Sequence, residues 1–236
     1  MAGEETTSGK KPGASPPPGK VYLTFDDGPY PATKEVLDVL RDKGVKATFF
    51  LCAMNLEKNS SLQFDLIKRM IAEGHSLGNH GYDHDPMTKK GYRASTTDLV
   101  KKDFTDNGSQ LAELFALHKD RFPGFAVARL PGDGRTFPTY VKMITGEVKL
   151  PHAGWDFEFA DNGRMGHVSY LDWQGVKGVA AAANGLPRDG DILLLHDLHW
   201  KGKAERLAAL IEKLKSSFAV RPLVPVPAGH RSIRYP

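Results

Sequence analysis

The chain has 236 residues, 40% of them hydrophobic, with 32 basic and 28 acidic side chains and a formal net charge of +4. That length and content suit one sizeable core, enough for a single α/β barrel or one wound sheet, and no stretch is apolar enough to span a membrane. One cysteine permits no intramolecular disulfide, and the scattered Lys10-Lys11, Lys89-Lys90 and Lys101-Lys102 pairs come with no nucleic-acid motif; a basic face would suit an anionic polymer or simply be solvated.

Met1 to Lys20 carries many Gly and Pro residues, including Pro16-Pro17-Pro18, and almost nothing apolar. It reads as a flexible tail, or a linker left after a signal peptide or anchor, with the folded domain expected over residues 21–236. The apolar run Val21 to Phe25 then reads as a buried strand that ends in Asp26-Asp27-Gly28-Pro29. Neighbouring side chains on a strand point to opposite faces, so two adjacent acids share one pocket only where the strand breaks. Gly28 and Pro29 are expected to supply that break. Parallel strands present ligands at their carboxyl ends, which makes Asp26 and Asp27 candidates for a catalytic base and a metal ligand.

Val36, Leu37 and Leu40 predict one helical face, followed by a strand over Ala47 to Leu51 and a core thiol at Cys52. Leu62, Leu66, Ile67, Met70 and Ile71 predict a second helix, and Ser76 to Gly78 a strand. Next comes Asn79-His80-Gly81-Tyr82-Asp83-His84, with two imidazoles four residues apart. With one carboxylate they would form a two-histidine, one-aspartate site with open positions, as expected of catalytic zinc or non-haem iron. Asp98 to Leu117 predicts a helix despite Gly108. The strand Phe125 to Arg129 ends in a cation before Leu130-Pro131-Gly132, and Trp155 to Phe157 predicts a further short strand. The run Asp191 to Leu195 reads as a buried strand ending in His196, and Leu207, Leu210, Ile211, Leu214 and Phe218 mark the clearest helical face. Four apolar runs thus end in titratable residues, which are costly to bury unless paired or used. The alternation argues for parallel β with right-handed crossovers, a pattern also compatible with an open doubly wound sheet.

These residues resemble the polysaccharide deacetylases, carbohydrate esterase family four, from about Val21 to the last helix. Thr24 to Pro29 resembles the family's first motif, which implies Asp26 as general base and Asp27 as metal ligand. Asn79-His80 through His84 resembles the second, implying both histidines as ligands. Arg129-Leu130-Pro131 resembles the third, implying that Arg129 orients the base and that a following backbone N–H, assigned to Gly132 beside Pro131, helps hold the oxyanion. Leu194-Leu195-His196 resembles the fifth, implying that Leu194 lines the acetyl pocket and His196 is the general acid. The implied fold is a distorted, incomplete (β/α) barrel, commonly seven-stranded, with its metal at the carboxyl ends of the strands.

Three departures stand out. Gly81 occupies the place of a serine or threonine whose hydroxyl braces the histidine loop, so other groups are expected to hold the histidines. Gly132-Asp133-Gly134 replaces an aromatic residue and one glycine, which opens the groove beside the metal. In the fourth motif, Trp155 to Asn162, Glu158 replaces the first aspartate and Asn162 the usual tryptophan; Asp161 is then the acid expected to tune His196, with Asp156 and Asp172 as rivals.

The implied activity is metal-dependent removal of N-acetyl groups from N-acetylglucosamine in a polysaccharide, with peptidoglycan preferred over chitin or chitooligosaccharides. Zn2+, or another divalent cation such as Co2+, is the implied cofactor, and an extracytoplasmic location is the family expectation. A catalytically silent carbohydrate-binding relative and an amide hydrolase for small non-sugar substrates are the alternatives. Tyr30, Tyr82, Tyr92, Trp173 and Trp200 are candidate sugar platforms or packing residues.

Overall fold

The computed structural model describes residues 19–56, 61–84, 96–132, 137–159, 187–224 and 233–234. Among these residues nine strands form one sheet: β1 (Gly19–Asp26), β2 (Thr48–Leu51), β3 (Ser76–Asn79), β4 (Val127–Ala128), β5 (His152–Ala153), β6 (Phe157–Glu158), β7 (Ile192–His196), β8 (Phe218–Arg221) and β9 (Ile233–Arg234). Seven of them run parallel in the order β6-β7-β1-β2-β3-β4-β5, while β8 pairs parallel with the start of β1 and β9 lies antiparallel on β5. Among the described residues no pairing joins β5 to β6, so the sheet curls without closing. This is the distorted, incomplete barrel expected from the sequence.

The helices are α1 (Thr33–Asp42), α2 (Ser61–Ala72), α3 (Thr97–Leu117), α4 (Pro138–Met143) and α5 (Ala204–Ser217). Alternation along β1 divides the molecule. Val21, Leu23 and Phe25 point outward into the main core with Leu37 and Leu40 of α1, Ile67 and Met70 of α2, and Leu210 and Leu214 of α5. Each large side chain buried there contributes roughly 1.5–3 kcal/mol relative to exposure. Tyr22 points the other way, packing with Phe50, Val127, Ala153 and Ile192 in a smaller inner cluster. Its strand neighbours at the same period, Thr24 and Asp26, therefore face inward too, and the register Thr24 to Leu194 and Asp26 to His196 puts two residues of β7 beside them.

Several expectations shift at their edges. Leu62, assigned to the buried face of α2, is 44% exposed, and Phe218, assigned to the last helix, begins β8. Trp200 is buried in the main core, which removes it from the sugar platforms; Tyr92 and Trp173 lie outside the described residues. The expected strand at Phe125 to Arg129 contracts to β4, and the one at Trp155 to Phe157 moves to β6, because Phe157 and Glu158 pair with Leu193 and Leu194.

Candidate active site

Asp26 ends β1 inside the curl, 2% exposed. Asp27 follows with φ +73°, a left-handed conformation that turns its carboxylate back toward the same pocket. The reversal thus falls on Asp27 itself, one residue before the break expected at Gly28 and Pro29. Gly28 is needed for a different reason: a Cβ there would lie 2.5 Å from Asp197 Oδ2.

His80 and His84 enter from the turn after β3. His80 Nε2 is 3.4 Å from Asp26 Oδ2 and 3.3 Å from Asp27 Oδ1, and His84 Nε2 is 3.4 Å from Asp27 Oδ1. His80 Nδ1 lies 2.8 Å from the Arg129 carbonyl, which can only accept. The ring proton belongs on Nδ1, leaving the Nε2 lone pair facing two carboxylates. Asp27 Oδ1 is buried with no hydrogen-bond partner. Lone pairs aimed at one point are repulsive unless a cation lies among them, and two imidazoles with a carboxylate are the donor set that borderline divalent metals take.

The electrostatics agree. Burial alone would raise the Asp27 carboxyl, but the His80, His84 and His196 imidazoles hold it well below the usual carboxylate range. Burial would likewise depress His80, and the Asp26 and Asp27 carboxylates reverse this, drawing positive charge to that position. His84 is depressed by partial burial and by His80, which favours its neutral, ligating form. Cys52 approaches the same donors: one ligand atom each from Asp27, Cys52 and His80 all lie within 4.8 Å of one another. Burial, then Asp27 and Asp26, push its thiol well up and keep it protonated. Read from sequence as a core thiol, it is buried and also borders this site.

Arg129 follows the end of β4 and is wholly buried. Its Nη1 donates to Asp26 Oδ1 at 2.7 Å and Thr24 Oγ1 at 2.8 Å, Nε to the Ala153 carbonyl at 3.1 Å and Nη2 to the Gly154 carbonyl at 2.9 Å. Its guanidinium carbon sits 4.0 Å from the Phe50 ring centroid. The plane is thereby fixed by β1, β2, β4 and β5 together. Leu130 follows, its N–H donating to His152 Nε2 at 3.0 Å, then buried Pro131 and exposed Gly132.

His196 ends β7 with Nε2 3.9 Å from Asp27 Oδ2, and its Nδ1 is buried with no hydrogen-bond partner among the described residues. Leu194, one inward position earlier, is buried beside Thr24. Asp161 and Asp172 lie outside the described residues. Asp156, their rival, spends Oδ2 on the Ile192 N–H at 2.9 Å. Burial and Asp26 push Glu158 up to about 7, against the opposing pull of Arg129.

Asp26, Asp27, His80, His84, Arg129, Leu194 and His196 thus meet at the carboxyl ends of β1, β3, β4 and β7. Sequence reasoning missed Asp197, fully buried, accepting from Thr33 Oγ1 and pushed up to about 7 by burial. Its signal was present: an acid directly after a strand-end histidine.

Comparison with known proteins places this arrangement in a family. The polysaccharide deacetylase family model matches residues 13–122. A chitooligosaccharide deacetylase of Sinorhizobium fredii is 30% identical over 180 residues, 75% of this chain and 71% of that protein. A peptidoglycan-N-acetylglucosamine deacetylase of Bacillus cereus is 29% identical over 206 residues, 85% of this chain and 65% of that one. Among solved structures, a family 4 acetyl xylan esterase from Clostridium thermocellum, in complex with a cobalt ion, superposes with TM-score 0.61 at 26% identity, covering 87% of this chain and 88% of that one. The chain belongs to the polysaccharide deacetylase family, carbohydrate esterase family four. It spans 63% of a chitin deacetylase of Pestalotiopsis, 65% of the Bacillus relative and 36% of a Listeria monocytogenes relative. Among the described residues no helix is long and apolar enough to cross a membrane.

Proposed function

We propose that this protein is a metal-dependent N-deacetylase acting on N-acetylglucosamine in a polysaccharide outside the cytoplasm, with peptidoglycan as the preferred polymer. The observation that carries the reading is Asp27 Oδ1, a buried carboxylate oxygen without a hydrogen bond, bracketed by His80 Nε2 and His84 Nε2 at 3.3 and 3.4 Å. Asp27, His80 and His84 would hold the divalent cation, Zn2+ by ligand type or Co2+. When bound it supplies Lewis acidity, polarising the acetamide carbonyl and acidifying a water.

The protein's own groups do the rest. Asp26 Oδ2, free of the Arg129 contact that occupies Oδ1, takes the proton of the attacking water. Arg129 keeps that carboxylate aimed through its contact to Oδ1. The Gly132 N–H would donate to the developing oxyanion, a kind of interaction worth roughly 3 kcal/mol in other enzymes. His196 Nε2 gives a proton to the departing amine, Leu194 lines the acetyl methyl, and Asp161 is the acid assigned to His196. The positive net charge favours an anionic glycan over neutral chitin, and the Bacillus relative is named for peptidoglycan.

Acetate release from peptidoglycan strands, chitooligosaccharides and a small aryl amide, each with and without chelator, tests the proposal. Chelator-sensitive release, greatest from peptidoglycan, is expected. Greatest release from chitooligosaccharides would move the substrate to chitin, release from the aryl amide alone would remove the sugar, and glycan binding without release would make the chain a silent relative. Asp26→Asn should abolish turnover while sparing metal binding, and an unimpaired variant would refute the role of Asp26.

A further inference from the structure

The turn that carries both histidines lacks the hydroxyl expected at Gly81, yet α3 holds it at Asn79, Tyr82 and Asp83. Asn107, wholly buried, accepts from the Ala53 N–H at 2.8 Å through Oδ1 and donates through Nδ2 to the Leu51 carbonyl at 2.8 Å and to Asn79 Oδ1 at 2.7 Å. Asn79 Oδ1 also accepts from the Gly81 N–H at 3.0 Å, and Asn79 Nδ2 donates to the Phe104 carbonyl at 2.9 Å. The amide orientations follow from the network, because the Ala53 and Gly81 N–H groups can only meet oxygen. Four residues earlier on the same helix face, Asp103 Oδ1 accepts from the Asp83 N–H at 3.0 Å, while the Asp103 carbonyl accepts from the Tyr82 N–H at 3.1 Å.

We propose that Asp103 and Asn107 are positioning residues of this enzyme: from α3 they hold the 79–84 turn so that His80 Nε2 and His84 Nε2 converge on Asp27, in place of a hydroxyl at position 81. The inference rests on the metal-site reading above. Gly81 has φ +81°, a conformation that side-chain-bearing residues adopt only with strain. A hydroxyl brace and this turn are therefore alternatives. The polar pair otherwise costs stability, since Asp103 is 4% exposed with Oδ2 lacking a hydrogen-bond partner, and α3 would bury two apolar side chains there more cheaply.

Co2+ binding by calorimetry and the visible spectrum of the bound Co2+ test this on the full chain, with thermal unfolding of the metal-free protein as the folding control. Asn107→Ala and Asp103→Ala should each bind Co2+ about 10- to 100-fold more weakly, the range seen when partners of metal ligands are removed, with a shifted spectrum. Asp103→Asn keeps an acceptor for the Asp83 N–H and should retain both affinity and spectrum, an outcome general core damage would not give. If Asn107→Ala fails to fold, the two Asp103 variants decide. Folded alanine variants with wild-type Co2+ affinity and spectrum would overturn the proposal. A wild-type protein that binds Co2+ but releases no acetate would refute the deacetylase reading alone, because the affinity comparison stands without turnover.

Discussion

Replacing Arg129 by methionine removes a buried cation while keeping most of its length, so the effect separates charge from packing. Four donor contacts vanish: two to carbonyls of Ala153 and Gly154, one to Thr24 and one to Asp26. Asp26, 2% exposed, is then left as a buried carboxylate without its counter-charge. Breaking one side of such a pair costs about 3–5 kcal/mol. A domain of this size loses about 2–4 °C of melting temperature per kcal/mol, so the variant should melt about 6–20 °C lower. Turnover should fall with it, because Asp26, the proposed base, loses the group that aims it. Adding Asp26→Asn removes the stranded charge, and the double variant should melt above Arg129→Met alone, since a neutral pair in a low-dielectric site carries less desolvation cost. Thermal unfolding of the single and double variants, metal-free and at one pH, reads both steps. An Arg129→Met protein within 2 °C of wild type, or a double variant melting below the single one, would refute the claim that this pair is held by charge.

The other predictions concern packing, metal and pH. A Cβ at Gly78 would fall well inside contact distance of the Phe50 ring, over which the Arg129 guanidinium lies at 4.0 Å. Gly78→Ala should cost about 1–3 kcal/mol in overpacking and lower kcat; steady-state kinetics showing unchanged kcat would uncouple Phe50 from the site. Saturating Zn2+ at 100 times its dissociation constant should stabilise the folded chain by about 2.7 kcal/mol, a rise in melting temperature that EDTA reverses and that His80→Ala abolishes. Asp197 is raised from 3.8 to about 7, so its stabilising share is complete below about pH 4 and is lost as pH rises through 7. Glu158, raised from 4.5 to about 7, has the same sign, whereas Asp27 is lowered and acts only at the acid end. The metal-free protein should therefore melt lower at pH 8 than at pH 5, and Asp197→Asn should flatten that slope; an unchanged slope would remove Asp197 as its source.

The parts of this site legible in the sequence are those where one strand sets the side chain's direction. The outward Val21, Leu23 and Phe25 and the inward Tyr22, Thr24 and Asp26 follow from period two alone, and β7 repeats the pattern to His196. Asp27 was legible as a pocket residue, but its left-handed backbone was not, because Gly28 and Pro29 offered a more ordinary place to turn. Asp103 and Asn107 were hidden for another reason. They lie four residues apart within an amphipathic helix, where polar residues read as a solvated face, and the approach of the 79–84 turn, with Leu51 and Ala53, makes them interior. Trp200 failed in the opposite direction: a polar neighbourhood in sequence surrounds a side chain that the fold buries.

Sequence pattern records how each element meets its own neighbours, whereas a site depends on how elements from distant parts of the chain meet one another. The buried polar atoms left without partners illustrate the difference. Asp27 Oδ1, Asp103 Oδ2, His196 Nδ1 and Asp197 Oδ1 come from β1, α3 and β7 or the turns that follow the two strands. Each would cost on the order of 1–3 kcal/mol if nothing bound to it. At the opposite end of β3, Glu73 Oε2 and His75 Nε2 are also without hydrogen bonds, but they face one another at 3.6 Å, so a single proton serves both. Asp27 Oδ1 also faces a ring nitrogen, His80 Nε2 at 3.3 Å, but His80 carries its proton on Nδ1 toward the Arg129 carbonyl, so no proton lies between the two. A fold selected for stability alone would have filled such positions with apolar side chains; on the proposed function, Asp27 and His196 are kept polar because a cation and a proton donor are needed within reach of one bond.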